Sequence, residues 1–218
     1  MLELMKKKGL MIAFLGTDGS GKSSIIDAVS PVLKTGPYAR VRYGHLRPTL
    51  LPPLAVVFGR ARLEGPVVDP HGGQPSGFFG SLLRITYYTL DYILGYWFKI
   101  YPAMAREDCL WVFDRYFYDY LFDPKRSLIA LPEWIIRSFV RFIPQPDLIL
   151  CLGTDARKIH GRKPELPLEE IERQLSVLKK LCNRSPQAVW IDTGRTIEES
   201  AADASSAIAA YLTVRDKG

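Results

Sequence analysis

The sequence predicts an α/β fold in which helices cover both faces of a parallel sheet. Two observations lead to this prediction: short apolar runs alternate with longer helical segments along the chain, and these runs resemble strands buried on both sides. The chain has 218 residues, 47% of them hydrophobic, which suits one domain with a large core. We therefore expect a single domain over residues 1–218, with residues 1–9 as a flexible leader.

Five segments are predicted to be strands, four as short apolar runs bounded by turn residues or charged residues, and one, residues 39–46, from the alternation of Val41 and Tyr43 with Arg40 and Arg42. They are residues 10–15, 39–46, 110–113, 147–152 and 188–191. The first run ends at Gly16 and the third ends at Asp114. Ligands of open parallel sheets bind at the carboxyl ends of the strands, so these two ends are where a site is expected.

Helices are predicted between the strands from the spacing of their apolar and capping residues. They are residues 21–34, 81–106, 131–142, 167–181 and 196–211. Pro31 is able to shorten the first of these helices, and Pro132 lies in the first turn of the third. Thr196 is the expected N-cap of the last helix, with Glu199 three residues on. Residues 48–80 are rich in proline and glycine, and we predict a loop at 71–77.

The charge and apolar patterns narrow the classes of partner. A net charge of +6 suits nucleotides, phosphorylated substrates, nucleic acid or an anionic membrane. No alternation of aromatic and basic residues of a nucleic-acid-binding type is present, so we expect no nucleic-acid partner. The longest apolar stretch, residues 81–101, contains Arg84, Asp91 and Lys99, which argues against a membrane span.

The three cysteines indicate neither a disulfide framework nor a zinc site. Cys109, Cys151 and Cys182 are far apart in the sequence and form no C-x-x-C pair. They are expected to be small buried side chains, and a cytoplasmic location is the corresponding prediction.

The strongest motif is the segment Gly16–Ser23, which matches the pattern G-x-x-x-x-G-K-[ST] between a predicted strand and a predicted helix. Its glycines allow backbone N–H groups to surround a phosphate, and the helix N-terminus adds positive charge. Lys22 is expected to neutralise the β- and γ-phosphates, and the Ser23 hydroxyl to bind Mg²⁺. The motif predicts ATP and Mg²⁺ as cofactors and a P-loop NTPase-type three-layer α/β/α fold with a five-stranded parallel sheet. The predicted nucleotide-binding residues of this segment are Gly16, Thr17, Asp18, Gly19, Ser20, Gly21, Lys22, Ser23 and Ser24.

Asp114 and Arg115 form the second candidate group. A carboxylate at the end of a buried strand is placed to bind magnesium together with Ser23. The Arg115 guanidinium, next in the chain, is able to bind a phosphate through two N–H groups. The alternative is an Asp–Arg surface pair without a ligand.

Several segments resemble the thymidylate kinase family, and their order and spacing agree over most of residues 10–212. The resemblance implies transfer of the ATP γ-phosphoryl group to a nucleoside monophosphate. The segments are Gly16-Thr-Asp-Gly-Ser-Gly-Lys-Ser23, Pro102-Ala-Met-Ala-Arg106, Asp114-Arg115-Tyr116, Pro146-Asp147-Leu148, and Trp190-Ile191-Asp192 followed by Thr-Gly-Arg195.

The resemblance also implies roles for individual residues. Asp18 would contact a sugar hydroxyl of the acceptor or orient the reacting phosphate, and Arg115 would hold the acceptor phosphate. Residues 157–167 would form a short lid, in which Arg157 or Arg162 is the catalytic arginine because the P-loop contains no other basic residue than Lys22. Three further nucleotide contacts are implied: Arg162, Gly194 and Arg195.

The sequence departs from the family mainly on the acceptor side. In the family, an arginine after an aspartate reads the thymine base, and here Tyr92 follows Asp91 at that position. The family's R-E-P-G segment is reduced to Arg47-Pro48. The glycine- and proline-rich insert at residues 54–77 is longer than the family would have it. Gly153 also replaces a family aspartate. The predicted acceptor-binding residues are His45, Arg47, Tyr88, Asp91, Arg115 and Tyr120.

These departures leave three interpretations open. The protein is a thymidylate-kinase-like nucleoside monophosphate kinase, a kinase of the same fold for a sugar, a glycolipid or a modified nucleotide, or a nucleotide-binding module with little transfer activity. The family is commonly dimeric, and the aromatic helix 81–106 would supply either a homodimer interface or part of the core.

Overall fold

The centre of the molecule is a five-stranded parallel sheet in the order β2-β3-β1-β4-β5, seen in a computed structural model that describes residues 9–57 and 76–216. Every pair of neighbouring strands is parallel. The predicted sheet is therefore confirmed. The strands are β1 Leu10–Gly16, β2 Arg40–His45, β3 Cys109–Asp114, β4 Leu148–Gly153 and β5 Ala188–Asp192.

Helices pack on both faces of the sheet, which confirms the three-layer arrangement. Helices α1 and α9 bury side chains against one face, and α3, α4 and α8 contribute to the core on the other. The helices are α1 Lys22–Lys34, α2 Leu54–Val57, α3 Phe78–Gly95, α4 Tyr101–Arg106, α5 Asp119–Phe122, α6 Glu133–Phe139, α7 Ala156–Arg162, α8 Leu168–Arg184 and α9 Ile197–Asp216.

Strand β1 lies in the middle of the sheet and is wholly buried along its length. Leu10, Ile12 and Phe14 point into the core beneath α1 and α9. The alternate residues Met11, Ala13 and Leu15 point into the opposite core. Complete burial of a large apolar side chain contributes about 1.5–3 kcal/mol, so the strand that leads into the Gly16–Ser23 loop is held firmly on both sides.

The long helix predicted at residues 81–106 is interrupted. Helix α3 begins three residues earlier, at Phe78, and ends at Gly95, and a π-helical segment Tyr96–Ile100 joins it to α4. Pro102 follows this segment in the first turn of α4. Pro102 has no N–H to donate and its ring crowds the carbonyl four residues earlier, which lies in the π-helical segment, so the regular hydrogen-bond pattern changes at this point.

Helix α1 continues through Pro31 to Lys34, so this proline does not shorten it. The reason is tertiary, because Val29 and Leu33 on either side of the proline are buried in the core. Burial of these neighbours outweighs the loss of one hydrogen bond near the end of the helix.

Two boundaries differ from the sequence prediction. Gly9, assigned to the flexible leader, is buried and its N–H donates to the Met104 carbonyl at 3.0 Å, whereas residues 1–8 lie outside the described residues. The proline- and glycine-rich stretch contains the short helix α2. Most of the loop predicted at residues 71–77 also lies outside the described residues.

The other helices confirm the prediction in outline but differ at their ends. The third predicted helix is α6 followed by a 3₁₀ segment, Val140–Phe142, while α8 and α9 extend to Arg184 and Asp216. Helices α5 and α7 were not predicted as helices, because segments of this length carry little periodicity. Of the helices in the described ranges, none is long and apolar enough to cross a membrane.

The predicted capping of α9 is present. The Glu199 N–H donates to Oγ1 of Thr196 at 3.2 Å, and the Thr196 N–H donates to Oε2 of Glu199 at 3.0 Å. This reciprocal pair satisfies N–H groups that the first turn of a helix leaves without a partner.

Replacing Thr196 by alanine should lower the free energy of unfolding by about 1 kcal/mol, because the capping hydroxyl is lost. The measurement is urea unfolding followed by circular dichroism. Thr213→Ala is the matched control: its hydroxyl only bonds back to the Ala209 carbonyl within α9, so this change should leave stability equal or higher. Equal stability of wild type and Thr196→Ala would contradict the capping role.

Candidate active site

The loop between β1 and α1 is a tight backbone cradle. Gly19 and Gly21 have φ angles of 79° and 82°, a left-handed conformation that residues with a Cβ rarely adopt. A Cβ on Gly16 would lie 2.5 Å from the Ser20 Oγ and 2.8 Å from the Leu152 carbonyl oxygen. Glycine is therefore required at all three positions for the loop to close.

The cradle contains hydrogen-bonding groups that have no protein partner among the described residues. Thr17 and Ser20 are each 1% exposed, and their side-chain oxygens make no hydrogen bond. Helix α1 begins at Lys22 without a capping side chain, so N–H groups of its first turn lack an intrahelical acceptor. Such a set of donors fits a phosphate group, and the residues present therefore fit the triphosphate of ATP.

Lys22 and Asp114 meet at the mouth of the cradle. The Lys22 Nζ lies 3.3 Å from the Asp114 Oδ1, and the lysine is buried. Burial and the neighbouring Arg115 guanidinium lower the pKa of Lys22, while Asp114 opposes this shift. Asp114 Oδ1 accepts no well-formed hydrogen bond within the described residues, and Ser23 is exposed. A hydroxyl and a carboxylate at one sheet edge are oxygen ligands that suit Mg²⁺.

Arg115 links β3 to the cradle. Its backbone is left-handed, with φ of 69°, and its N–H donates to the Phe14 carbonyl at 3.0 Å. The buried guanidinium donates from Nη1 to the Asp119 Oδ2 at 2.6 Å and from Nη2 to the Asp18 Oδ1. The side chain is therefore directed at the phosphate-binding loop and held there from two sides.

The second oxygen of Asp18 accepts a hydrogen bond from Nη1 of Arg126, so two guanidinium groups hold one carboxylate. Burial raises the pKa of Asp18, but the attraction of Arg115 and Arg126 outweighs this effect and the pKa lies below its ordinary value. Burial raises the pKa of Asp119 to about 6 against the attraction of Arg115. The two carboxylates around Arg115 therefore differ in acidity because of their surroundings.

The structure brings four predicted acceptor residues together. Nη1 of Arg47 lies 3.0 Å from Oδ2 of Asp91, and its guanidinium lies 4.7 Å from the ring centroid of Tyr88. Tyr88 stacks on Tyr120 with 5.4 Å between the ring centroids. Asp91 and Tyr120 are wholly buried, and Asp91 also accepts from the Leu51 N–H at 2.7 Å. The described contacts of Asp91 and Tyr120 are with protein groups, so direct contact of these two residues with an acceptor stays a prediction.

Tyr92 occupies the position at which the resemblance would place a base-reading arginine. Its side chain is wholly buried, and its hydroxyl donates to the Leu46 carbonyl. The ring packs edge to face on Tyr116 and Phe117, with centroid distances of 4.8 and 5.4 Å. Leu46 has a left-handed backbone, with φ of 57°, so Tyr92 stabilises the turn that follows β2.

His45 ends β2 directly opposite Asp114 in the sheet register. Partial desolvation of its ring lowers the pKa of His45, the charge of Asp114 opposes this, and Arg115 adds to the lowering. A cavity of about 540 Å³ lies beside it, lined also by Arg42, Arg47 and Lys99.

The predicted lid begins as helix α7 and lies against the cradle. A Cβ on Gly19 would be 3.0 Å from the Ile159 carbonyl oxygen, and one on Gly21 would be 3.9 Å from Nη1 of Arg162. Nη2 of Arg162 donates to the Thr193 carbonyl at 2.8 Å. Arg157 lies about 7.5 Å further back along the helix axis, and forms no hydrogen bond or ion pair with the loop in the described part of the chain.

The loop after β5 packs against helix α7. The Gly194 N–H donates to Oδ1 of Asp192 at 2.9 Å, and its carbonyl accepts from Nζ of Lys158 at 3.2 Å. Arg195 is exposed and forms an ion pair with Asp203 on α9. Arg162 therefore contacts the residue next to Gly194, because it binds the Thr193 carbonyl. The guanidinium of Arg195 is instead paired with Asp203 of α9.

The sequence analysis missed Arg126, Asp119 and Lys158. Asp119 follows Arg115 by four residues, a spacing that brings side chains together on a helix and could have drawn attention to the pair. Arg126 had no local signal, because its partner Asp18 lies 108 residues away in the sequence. Lys158 lies inside the predicted lid but was not assigned a role.

The sheet order, the helical layers and the glycine loop after β1 define an α/β fold of the P-loop NTPase type. The chain is similar to the crystal structure of thymidylate kinase from Ehrlichia chaffeensis, with a TM-score of 0.60 and 12% sequence identity over 92% of this chain and 98% of that chain. At this identity the likeness shows the fold alone. No protein-family model matches the sequence, and no curated protein matches it.

Replacing Gly21 by alanine should weaken binding of Mg²⁺·ATP about tenfold, because a Cβ in the left-handed region costs roughly 1–2 kcal/mol. The surroundings of Gly21 are open, so Gly21→Ala tests the backbone conformation alone. Gly19→Ala should weaken binding further, since its Cβ also meets the Ile159 carbonyl and Lys163.

Isothermal titration calorimetry measures these affinities, and urea unfolding separates them from any loss of stability. Gly77→Ala is the control, because its φ is negative and nothing lies within 4 Å of its added Cβ. Wild-type affinity in Gly21→Ala would show that the left-handed cradle is not needed for nucleotide binding.

Proposed function

We propose that this protein is an ATP- and Mg²⁺-dependent phosphotransferase that moves the γ-phosphoryl group to a small acceptor, in the first place a nucleoside monophosphate similar to thymidylate. One observation carries the proposal: the glycine cradle, the Lys22–Asp114 pair and the buried Arg115 guanidinium converge at one edge of the sheet. This combination supplies a phosphate site, a metal ligand and a second anion-binding group side by side.

Each group has a distinct role in this proposal. Ser23 and Asp114 would hold Mg²⁺, which when bound shields the phosphate charges and orients them. Lys22 neutralises the β- and γ-oxygens from inside the cradle. Arg162, which already lies at the loop, shares the charge that spreads over the transferring group, and Arg157 is the alternative donor from the lid.

The acidity of Asp18 supports a phosphate acceptor. A phosphate oxygen is already nucleophilic, whereas a hydroxyl acceptor benefits from a general base. Asp18 is the nearest candidate base on the loop, but the attraction of two guanidinium groups outweighs the effect of its burial and lowers its pKa. A carboxylate with a lowered pKa is a weak base, so direct in-line transfer to a phosphate acceptor fits these residues better.

A kinase with a different acceptor is the second candidate function. Tyr92 is wholly buried at the position where the resemblance expects a base-reading arginine, and Arg47 is paired with Asp91. These contacts favour an acceptor other than thymidylate, such as a sugar, a glycolipid or a modified nucleotide. The third interpretation is a nucleotide-binding module with little activity, which ATP binding without turnover on any acceptor in the assay below would favour.

The proposed setting is a cytoplasmic enzyme without a nucleic-acid partner. A homodimer is a further prediction of the resemblance. Helix α3 buries Ile85 and Tyr92 in the core but exposes Phe79, Leu83 and Leu90, so the aromatic helix contributes to the core and also presents an apolar face. The oligomeric state is measurable by analytical ultracentrifugation.

Lys22→Ala should abolish acceptor-dependent ADP release, because the charge of the transferring phosphates loses its buried counter-ion. A coupled ADP assay with thymidylate, the other nucleoside monophosphates and phosphorylated sugars makes the measurement. Turnover on thymidylate would support the first acceptor class. ATP binding without turnover on any nucleotide would favour another acceptor, and substantial turnover by Lys22→Ala would contradict the assigned site.

Arg162→Ala should lower kcat by roughly 10³-fold or more, the range known for arginines that stabilise phosphoryl transfer. The Kd of Mg²⁺·ATP should change far less, since the charge on the transferred group grows only in the transition state. Arg157→Ala is the comparison and should have a smaller effect on kcat. A larger loss in Arg157→Ala would assign the catalytic role to that residue instead.

A further inference from the structure

Asp18 lies between two arginines that come from different parts of the chain. Its Oδ1 accepts from Arg115, which follows β3, and its Oδ2 accepts from Arg126, which lies in a 3₁₀ segment at residues 125–127. Each guanidinium therefore binds one oxygen of the same carboxylate. This arrangement is a two-arginine anion site, and a residue of the phosphate-binding loop occupies it.

Arg126 is held in place by contacts around its own segment. Leu128 has a left-handed backbone, with φ of 56°, and its carbonyl accepts from the Ser76 N–H at 3.1 Å. The Ala130 N–H donates to the Ser81 Oγ at 2.9 Å. The segment is thus fastened to the start of α3, which gives Arg126 a defined position opposite the loop.

Exposure differs among the three charged groups. The side chain of Arg126 is 26% exposed, that of Asp18 is 11% exposed, and that of Arg115 is 3% exposed. Arg126 is therefore the member of the group most open to solvent, and Arg115 is the most deeply buried. Arg115 has a second carboxylate partner in Asp119, whereas Asp18 is the partner of Arg126 in the ion pairs of the described residues.

We propose that Arg115 and Arg126 bind the phosphate group of the acceptor, and that Asp18 is an internal counter-ion which the acceptor displaces. The inference rests on the proposed function, and it adds Arg126 to the acceptor site. It also gives Asp18 a role different from that of a base or a sugar ligand. When the acceptor binds, Arg115 and Arg126 exchange the Asp18 carboxylate for the phosphate of the acceptor.

A phosphate monoester suits this site better than a carboxylate or a hydroxyl group. A phosphate whose two oxygens bind the two guanidinium groups retains a third terminal oxygen for attack. A carboxylate held in the same way has both oxygens engaged, and a hydroxyl group has no second oxygen for Arg126. Asp18 belongs to the same loop as Lys22, so the two arginines that bind Asp18 lie next to the loop that would hold the γ-phosphate.

The test measures binding of inorganic phosphate by calorimetry with Mg²⁺ and the non-hydrolysable β,γ-imido analogue of ATP at saturation, so that the γ-phosphate position is already filled. Arg126→Ala should bind phosphate roughly tenfold to a hundredfold more weakly, the range for hydrogen bonds to charged groups. Arg126→Lys should be intermediate, because an ammonium group cannot reproduce the planar fork. Arg137→Ala, an exposed arginine of α6 paired with Glu133, should equal wild type.

Asp18→Asn separates a competing counter-ion from a purely structural residue. If Asp18 competes with the acceptor, its neutral amide should raise phosphate affinity about tenfold, because a negative charge leaves the site. If Asp18 only positions the arginines, the same change should weaken phosphate binding, which would overturn the proposal. Acetate in place of phosphate should bind more weakly to wild type, and equal binding would also count against it.

The same titrations distinguish failure of this inference from failure of the proposed function. Binding of the ATP analogue to each variant is measured first. Wild type that does not bind the analogue would contradict the proposed function itself. Wild type that binds the analogue, but binds phosphate no better than Arg126→Ala does, would overturn the role of Arg126 alone.

Discussion

The ion-pair chain from Asp119 through Arg115 to Asp18 and Arg126 is the constraint on which the candidate site depends. It joins the loop after β1, the end of β3, helix α5 and the 3₁₀ segment at residues 125–127. Burying charged groups costs free energy unless each is paired, and removing one partner from such a pair is strongly destabilising. These ion pairs therefore define the geometry of the site at least as much as they stabilise the fold.

This constraint acts on a rigid base. Strand β1 is hydrogen-bonded to β3 on one side and to β4 on the other, so the carboxyl ends of these strands lie side by side. The Arg115 N–H, just after β3, donates to the Phe14 carbonyl of β1. The Lys22–Asp114 pair crosses the same boundary at 3.3 Å. Since both strands are buried on both faces, the sheet fixes the backbone from which the charged side chains at this edge extend.

The residues predicted to bind the acceptor are organised differently from the glycine loop after β1. Hydroxyl groups in the cradle have no protein partner among the described residues, whereas Arg47 and Asp91 are bound to protein groups. Tyr92 and Tyr120 are wholly buried behind them. The likeness to a thymidylate kinase at 12% identity concerns the sheet and helices, and it does not extend to the roles of these side chains.

The sequence by itself determined the α/β class, the strand positions and the tight glycine loop after β1, because these depend on local patterns: apolar runs, and glycines at fixed spacing. The tertiary structure decided where charges from distant segments meet, and the pair of Asp18 with Arg126, 108 residues apart, is the plainest case. It also decided that α1 continues through Pro31, since burial of Val29 and Leu33 overrides the local preference. Local patterns cannot carry this information, because a buried contact between distant residues depends on how the whole chain packs.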